Sequence, residues 1–119
     1  MSTPEKGQRW VFLQQVEGQP AGDGVIRKVC AYCEEMMCVV NEFETGAVGA
    51  LHSHPHTQIT YVAKGRFRFT IDGETHEVSQ GDTLLKQNGV EHGCLCLEEG
   101  TLVDFFTPMR RDFLPPEKA

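Results

Sequence analysis

Positive charge is scarce in this sequence. Eleven lysines and arginines stand against 17 aspartates and glutamates, for a net charge of -6. A surface of that sign repels phosphate backbones and anionic membranes, so neither nucleic acid nor a membrane is the expected partner. An anionic small molecule needs a local basic residue to offset the overall field. Long apolar runs are missing as well, and nothing reads as a membrane span. The opening "MSTPEKGQRW" lacks the apolar stretch of a signal peptide, so the expected location is cytoplasmic. Cysteines number five, an odd count that fits free thiols better than a disulfide framework. Helical periodicity is weak, with at most one turn near Phe12.

What the sequence does contain is a series of short β-type runs punctuated by turn residues. At 119 residues the chain suits one domain, 1–119, with a core over about 22–114 and loose ends at 1–8 and 115–119. Strands are expected near 25–32, 36–43, 48–53, 58–64, 66–72, 74–79, 83–86, 92–97 and 101–107. Their even spacing predicts an all-β sandwich or barrel. Asp72-Gly73 between alternating runs is a hairpin signal.

Two further hairpins are expected. A two-residue loop at Lys64-Gly65 makes Val62 face Phe67, Thr60 face Phe69 and Gln58 face Ile71, which places Gln58 on the inward face. A three-residue loop at Glu98–Gly100 makes Cys96 face Leu102, Cys94 face Asp104 and His92 face Phe106. If His92 points inward, so does Asp104. A carboxylate aimed into a barrel is costly unless it has a partner or a task.

The stretch "HSHPHTQ" holds three of the five histidines, His52, His54 and His56, and ends on Gln58. At i and i+2 on a strand, His52 and His54 project from one face and form a chelating pair. Gln58 and His92 complete a possible set of four neutral ligands, suited to zinc, nickel, iron, copper or cobalt. Pro55 breaks the strand before His56, which reads as a loop residue. His76 beside its hairpin turn reads as exposed. Cys30 and Cys33 form a C-x-x-C without a matching second pair, so small buried hydrophobes are the better account of most of the thiols. Cys94 is expected near the metal.

Gly46, five residues, His52-Ser53-His54, three residues, Gln58, six residues and Gly65 together resemble the first cupin motif. Gly81, five residues, Gln87-Asn88-Gly89, two residues and His92 resemble the second. Gln58 stands where most cupins have glutamate, Gln87 where they have proline and Cys96 where they have asparagine. The resemblance implies a cupin-type jelly-roll β-barrel. More narrowly, "GAVGALHSHPHTQ" with "DFFTPMRRDFL" resembles the small KdgF-type cupins of pectin and alginate breakdown. That resemblance implies one divalent transition metal, whether nickel, zinc, manganese or iron(II), on His52, His54, Gln58 and His92. It also implies an acid–base role for Asp104, with Phe106 and Arg110 lining the pocket. The implied reaction converts an unsaturated uronate, a small anionic sugar acid, to its linear keto form. Arg110 has the fork geometry to grip the uronate carboxylate. The resemblance also implies a second copy of the chain as partner, since small cupins often dimerise through such outer sheet faces, here the one carrying Ile59 and Tyr61. A dioxygenase or sugar isomerase on the same site, or a binding cupin without turnover, are the alternatives.

Glutamine at position 58 has a physical consequence. It leaves the ligand set without negative charge, so a divalent ion there keeps its full charge toward substrate oxygens. The same neutrality disfavours the ferric state, which argues for chemistry other than oxygen activation.

Overall fold

The computed structural model describes residues 1–115; the expected loose end at 115–119 lies almost wholly outside that range. Eight strands form the fold: β1 (Gln19–Pro20), β2 (Val25–Tyr32), β3 (Met37–Phe43), β4 (Val48–His52), β5 (Thr57–Ile71), β6 (Glu74–Ser79), β7 (Thr83–Lys86) and β8 (His92–Thr107). All strand pairs are antiparallel. The expected helical turn near Phe12 is a single 3-10 turn, Leu13–Gln15. No helix among the described residues is long and apolar enough to cross a membrane.

The long strands β5 and β8 organise everything else. They pair along their whole length, from Thr57 opposite Thr107 to Ile71 opposite His92. The first part of β5 also pairs with β7, and its last part with β6. The last part of β8 pairs with β3, and its first part with β4. Each long strand therefore belongs to two sheets and bends from one to the other, giving a jelly roll whose sheet does not close into a complete ring. The Asp72-Gly73 hairpin forms as expected, with Ile71 opposite Glu74 and both turn residues at positive φ.

The other two expected hairpins are absent. Lys64-Gly65 and Glu98–Gly100 are not reversals but the corners where β5 and β8 bend together. In β5 the buried positions switch from Gln58, Thr60 and Val62 to Phe67 and Phe69, and the pairing slips between Val62 and Phe67. A bulge produces the same switch of face that a tight turn would. In β8 no switch occurs: His92, Cys96, Leu102, Asp104 and Phe106 are all buried on one continuous face. Gln58 and Asp104 are inward as expected, on strands paired differently from expectation.

Gly65 shows how tight the corner is. Its φ is +85°, and a Cβ there would meet the carbonyl oxygens of Glu98 and Glu99 at 2.6 Å. Gly65→Ala should lower stability by about 2–4 kcal/mol, from left-handed strain plus backbone displacement, as read by urea denaturation. A change under about 0.5 kcal/mol would contradict this account of the corner.

The main core fills the space between the sheets, with Val25, Phe43, Val62, Phe67, Phe69 and Leu102. A second cluster, Val29, Met37, Val39, Phe106 and Met109, lies toward one end. Residues 1–8 are tied down, contrary to the expected loose end. The Ser2 amide donates to the Gln15 carbonyl at 3.0 Å, the Gly7 amide to Tyr32 at 2.9 Å, and Pro4 is buried. All five cysteines are free.

Candidate metal centre

The strand pairing sets the site at one mouth of the jelly roll. His52 ends β4 and lies opposite His92, which opens β8. Gln58, near the start of β5, lies opposite Phe106 on one side and Lys86 on the other. Thr60 lies opposite Asp104. Residues far apart in sequence therefore meet because four strand ends meet. His54 arrives by another route than expected: β4 stops at His52, so His54 sits in the following loop rather than two positions along a strand.

The three histidines converge. Their candidate donor atoms all lie within 4.8 Å of one another. Ring centroids are 4.4 Å apart for His52–His92, 5.0 Å for His54–His92 and 5.7 Å for His52–His54. Each Nδ1 donates to a backbone carbonyl: His52 to Ala50 at 2.8 Å, His54 to His56 at 3.1 Å and His92 to Val90 at 3.0 Å. A carbonyl only accepts, so the proton of each neutral ring is held on Nδ1 and the lone pair is left on Nε2. Backbone carbonyls fix ring tautomer and direction in this way at metal sites.

Gln58 adds the fourth donor, and its orientation follows from hydrogen-bond accounting. The Thr60 hydroxyl gives its one proton to Asp104 Oδ1 at 2.5 Å and accepts from Lys86 Nζ at 2.6 Å. It can only accept from Gln58, so the amide nitrogen faces Thr60 at 3.3 Å. Gln58 Oε1 then faces His54 Nε2 at 2.8 Å. With the His54 proton on Nδ1, two lone pairs oppose each other at that distance. A cation shared by both atoms turns that repulsion into coordination, which is the fit expected of a metal ligand pair.

Burial favours the neutral rings. It pushes His92 down to about 4 and also lowers His54, although Gln58 Oε1 would accept a hydrogen bond from a protonated His54 Nε2 and so opposes the shift. Between the ordinary value of 6.5 and about 4 the unfolded chain therefore holds more protons than the folded one. Stability rises with pH wherever that holds. The metal-free protein should keep full stability above the ordinary imidazole value and lose it as pH falls through the depressed values, by urea denaturation across that range. A flat profile would contradict the burial assigned to these rings.

Asp104 is buried and fixed at both oxygens, by Thr60 and by Asn41 Nδ2 at 2.7 Å. Phe106 packs its ring against His54 at 5.6 Å between centroids. Arg110 is buried with its guanidinium 5.0 Å from the Phe106 centroid and 4.2 Å from that of Phe113. Its Nε and Nη2 donate to the two oxygens of Asp112 at 3.0 and 2.8 Å. That edge of the fork is therefore already occupied. His56 is half-buried beside His54, outside the converging set, and His76 is exposed and paired with Glu74. Cys94 lines the cavity, where burial pushes its thiol up to about 11 and keeps it protonated at neutral pH.

A cavity of about 410 Å³ joins His52, Gln58, His92, Asp104, Phe106 and Arg110, within the range that holds a small ligand. Its wall includes three residues that the sequence reading passed over: Arg27, Asn41 and Lys86. The signal was alternation. Arg27 is in phase with Val25 and Val29, Asn41 with Val39 and Phe43, and Lys86 with Leu84, all on inward faces.

Comparison with known proteins agrees with this geometry. The family model described as the cupin domain matches residues 39–105, which contain His52, His54, Gln58 and His92. The chain is 38% identical over 108 residues to the pectin degradation protein KdgF of Dickeya dadantii, covering 89% of this chain and 98% of that protein. Among solved structures it is similar to an RmlC-like cupin from Shewanella frigidimarina, with a TM-score of 0.88, 34% identity, and coverage of 92% and 98% of the two chains. It is also similar to KdgF from Halomonas sp., with a TM-score of 0.86, 33% identity, and coverage of 90% and 99%. A matching family model, identity above 30% and near-complete coverage place the conclusion beyond fold alone: the chain belongs to the cupin family, in the group that includes KdgF.

Proposed function

We propose that the protein opens the ring of an unsaturated uronate and yields its linear keto acid, in pectin or alginate breakdown. One observation carries this reading: a buried carboxylate, Asp104, shares a sugar-sized cavity with His52, Gln58 and His92, three of the four neutral metal donors, in a chain 38% identical to a pectin degradation protein.

His52, His54, Gln58 and His92 are the residues that would hold one divalent transition ion, and nickel, zinc, manganese and iron(II) all suit them. When bound, such an ion supplies Lewis acidity toward a substrate oxygen. The protein's own residues supply the rest. The substrate is a cyclic enol ether carrying a hemiacetal. Asp104 takes the proton of the hemiacetal hydroxyl as the ring C–O bond breaks, leaving an aldehyde and an enolate. Delivery of that proton to the adjacent carbon of the double bond gives the ketone. Atoms balance without water or oxidant. The Asn41 and Thr60 hydrogen bonds hold Asp104 in place for both transfers. Phe106 walls the cavity and keeps the His54 ring in position, while Arg110 stacks on Phe106 and closes the wall.

The test is the ultraviolet absorbance of the conjugated double bond in an unsaturated galacturonate. Metal-loaded protein should speed its loss above the buffer rate, and a chelator should abolish the difference. Loss at the buffer rate alone would leave a binding cupin; loss that required dioxygen would favour an oxygenase.

A homodimer is part of the same reading. Ile59, Tyr61, Leu85 and Phe105 are exposed large apolar residues, and pairing brings Ile59 beside both Leu85 and Phe105 on the outer sheet. Contiguous apolar surface of this kind marks an interface. Sedimentation should find particles of two chains, and Tyr61→Asp with Ile59→Asp should shift them to one.

A further inference from the structure

Lys86 ends β7 inside the cavity and is 2% exposed. Its ammonium donates to Thr60 Oγ1 at 2.6 Å and stands 4.5 Å from the centroid of the Phe69 ring. Among the described residues, no carboxylate pairs with it. An ammonium has three donors, and the hydroxyl takes one. Burying a cation without a carboxylate in direct contact is costly, and such groups in clefts mark functional sites.

The other cations on the wall are differently placed. Arg110 presents its Nε–Nη2 edge to Asp112. Arg27 is half-buried with its guanidinium carbon over the Phe113 ring, 3.8 Å from the centroid. Lys86 is the deeply buried one with no carboxylate in direct contact; its nearest counter-charge, Asp104, acts across the Thr60 hydroxyl. The four metal donors carry no charge, so a divalent ion adds to the positive potential of the cavity. The wall sets Arg27, Lys86 and Arg110 against Asp104 and Asp112, so with the ion bound the cavity favours an anion inside a chain whose net charge is -6.

We propose that Lys86 contacts the ligand directly and binds the carboxylate of the sugar acid. This deepens, and rests on, the uronate reading given above. It assigns the carboxylate to Lys86 rather than to the occupied fork of Arg110. It also orients the ring. In an unsaturated uronate, the carbon that receives the proton lies two bonds from the carboxylate carbon. One hydroxyl, that of Thr60, separates Lys86 from Asp104. A carboxylate on Lys86 therefore brings the reacting carbon toward Asp104.

The experiment is titration calorimetry on metal-loaded protein with galacturonate, its methyl ester and galactose. Wild type should bind galacturonate at least about 10-fold more tightly than the ester or the neutral sugar. Lys86→Met should weaken galacturonate binding by about 10–100-fold, leave the ester unchanged and keep the wild-type metal content. Lys86→Arg should restore part of the loss, and Arg27→Gln should keep the discrimination. In turnover of the unsaturated acid, the Lys86→Met defect should lie mainly in KM.

The proposal is overturned if folded, metal-loaded Lys86→Met still discriminates acid from ester. It is also overturned if Arg27→Gln alone removes the discrimination, or if Lys86→Met lowers kcat with KM unchanged. Should Lys86→Met fail to fold, equal binding of acid and ester by wild type would overturn it. Lys86-dependent acid binding without turnover would support this site while removing the proposed reaction.

Discussion

Asp104→Asn is expected to lower kcat by about 10²–10⁴-fold, the usual contribution of a positioned acid–base group, with metal content unchanged. The substitution keeps the volume of the side chain and removes its basicity. Asp104 does not touch the metal quartet directly; Thr60 stands between it and Gln58. Metal retention is therefore the control that separates a proton-transfer role from collapse of the site. Some loss of stability should accompany the change. The carboxylate accepts from Asn41 and Thr60, and an amide has one oxygen to serve both. Leaving one buried donor unpaired costs about 1–3 kcal/mol, measurable by urea denaturation. A folded, metal-loaded variant within about threefold of the wild-type rate would remove Asp104 from the chemistry.

His92→Ala should have the larger effect on metal. His92 is 3% exposed, its Nδ1 is held by Val90, and its ring centroid lies 4.4 Å from that of His52 and 5.0 Å from that of His54. Removing even an outer partner of a metal ligand typically costs about 10–100-fold in affinity, so losing the ligand itself should cost about 100-fold or more. Chelator competition measures that directly, and turnover should fall with occupancy. His76→Ala, at an exposed position outside the cluster, should alter neither. Equal metal affinity in His92→Ala and wild type would exclude His92 from the site.

The fold and the site were legible in the sequence to different depths. The strand spans for β2, β6 and β7 match the observed bounds, because alternation and turn residues are local properties. The long strands were misread for an equally local reason. Gly65 and the Glu98–Gly100 stretch carry turn chemistry, and local chemistry alone does not distinguish a reversal from a bend between two sheets. Only the pairing of β5 with β8 along both halves resolves it.

The inward direction of Asp104 survived that error. Its even spacing from His92 keeps it on one face, whether the chain turns back at Gly100 or runs straight on. The histidines were legible through their spacing, although His54 reaches the cluster from a loop and not from strand alternation. Lys86, Asn41 and Arg27 were not singled out, since one polar residue on an apolar face is a weak signal. The meaning of Lys86 and Asn41 depends on the Thr60–Asp104 network, which joins four strands distant in sequence.

The central claim is that four uncharged side chains gather one cation. Mass-spectrometric metal analysis of tag-free protein, loaded with one divalent transition ion and then dialysed, addresses it most directly. The account predicts one ion per chain, and close to none when His52, His54 and His92 are all replaced by alanine. A wild-type ratio near zero, or a ratio that the triple replacement leaves unchanged, would contradict it.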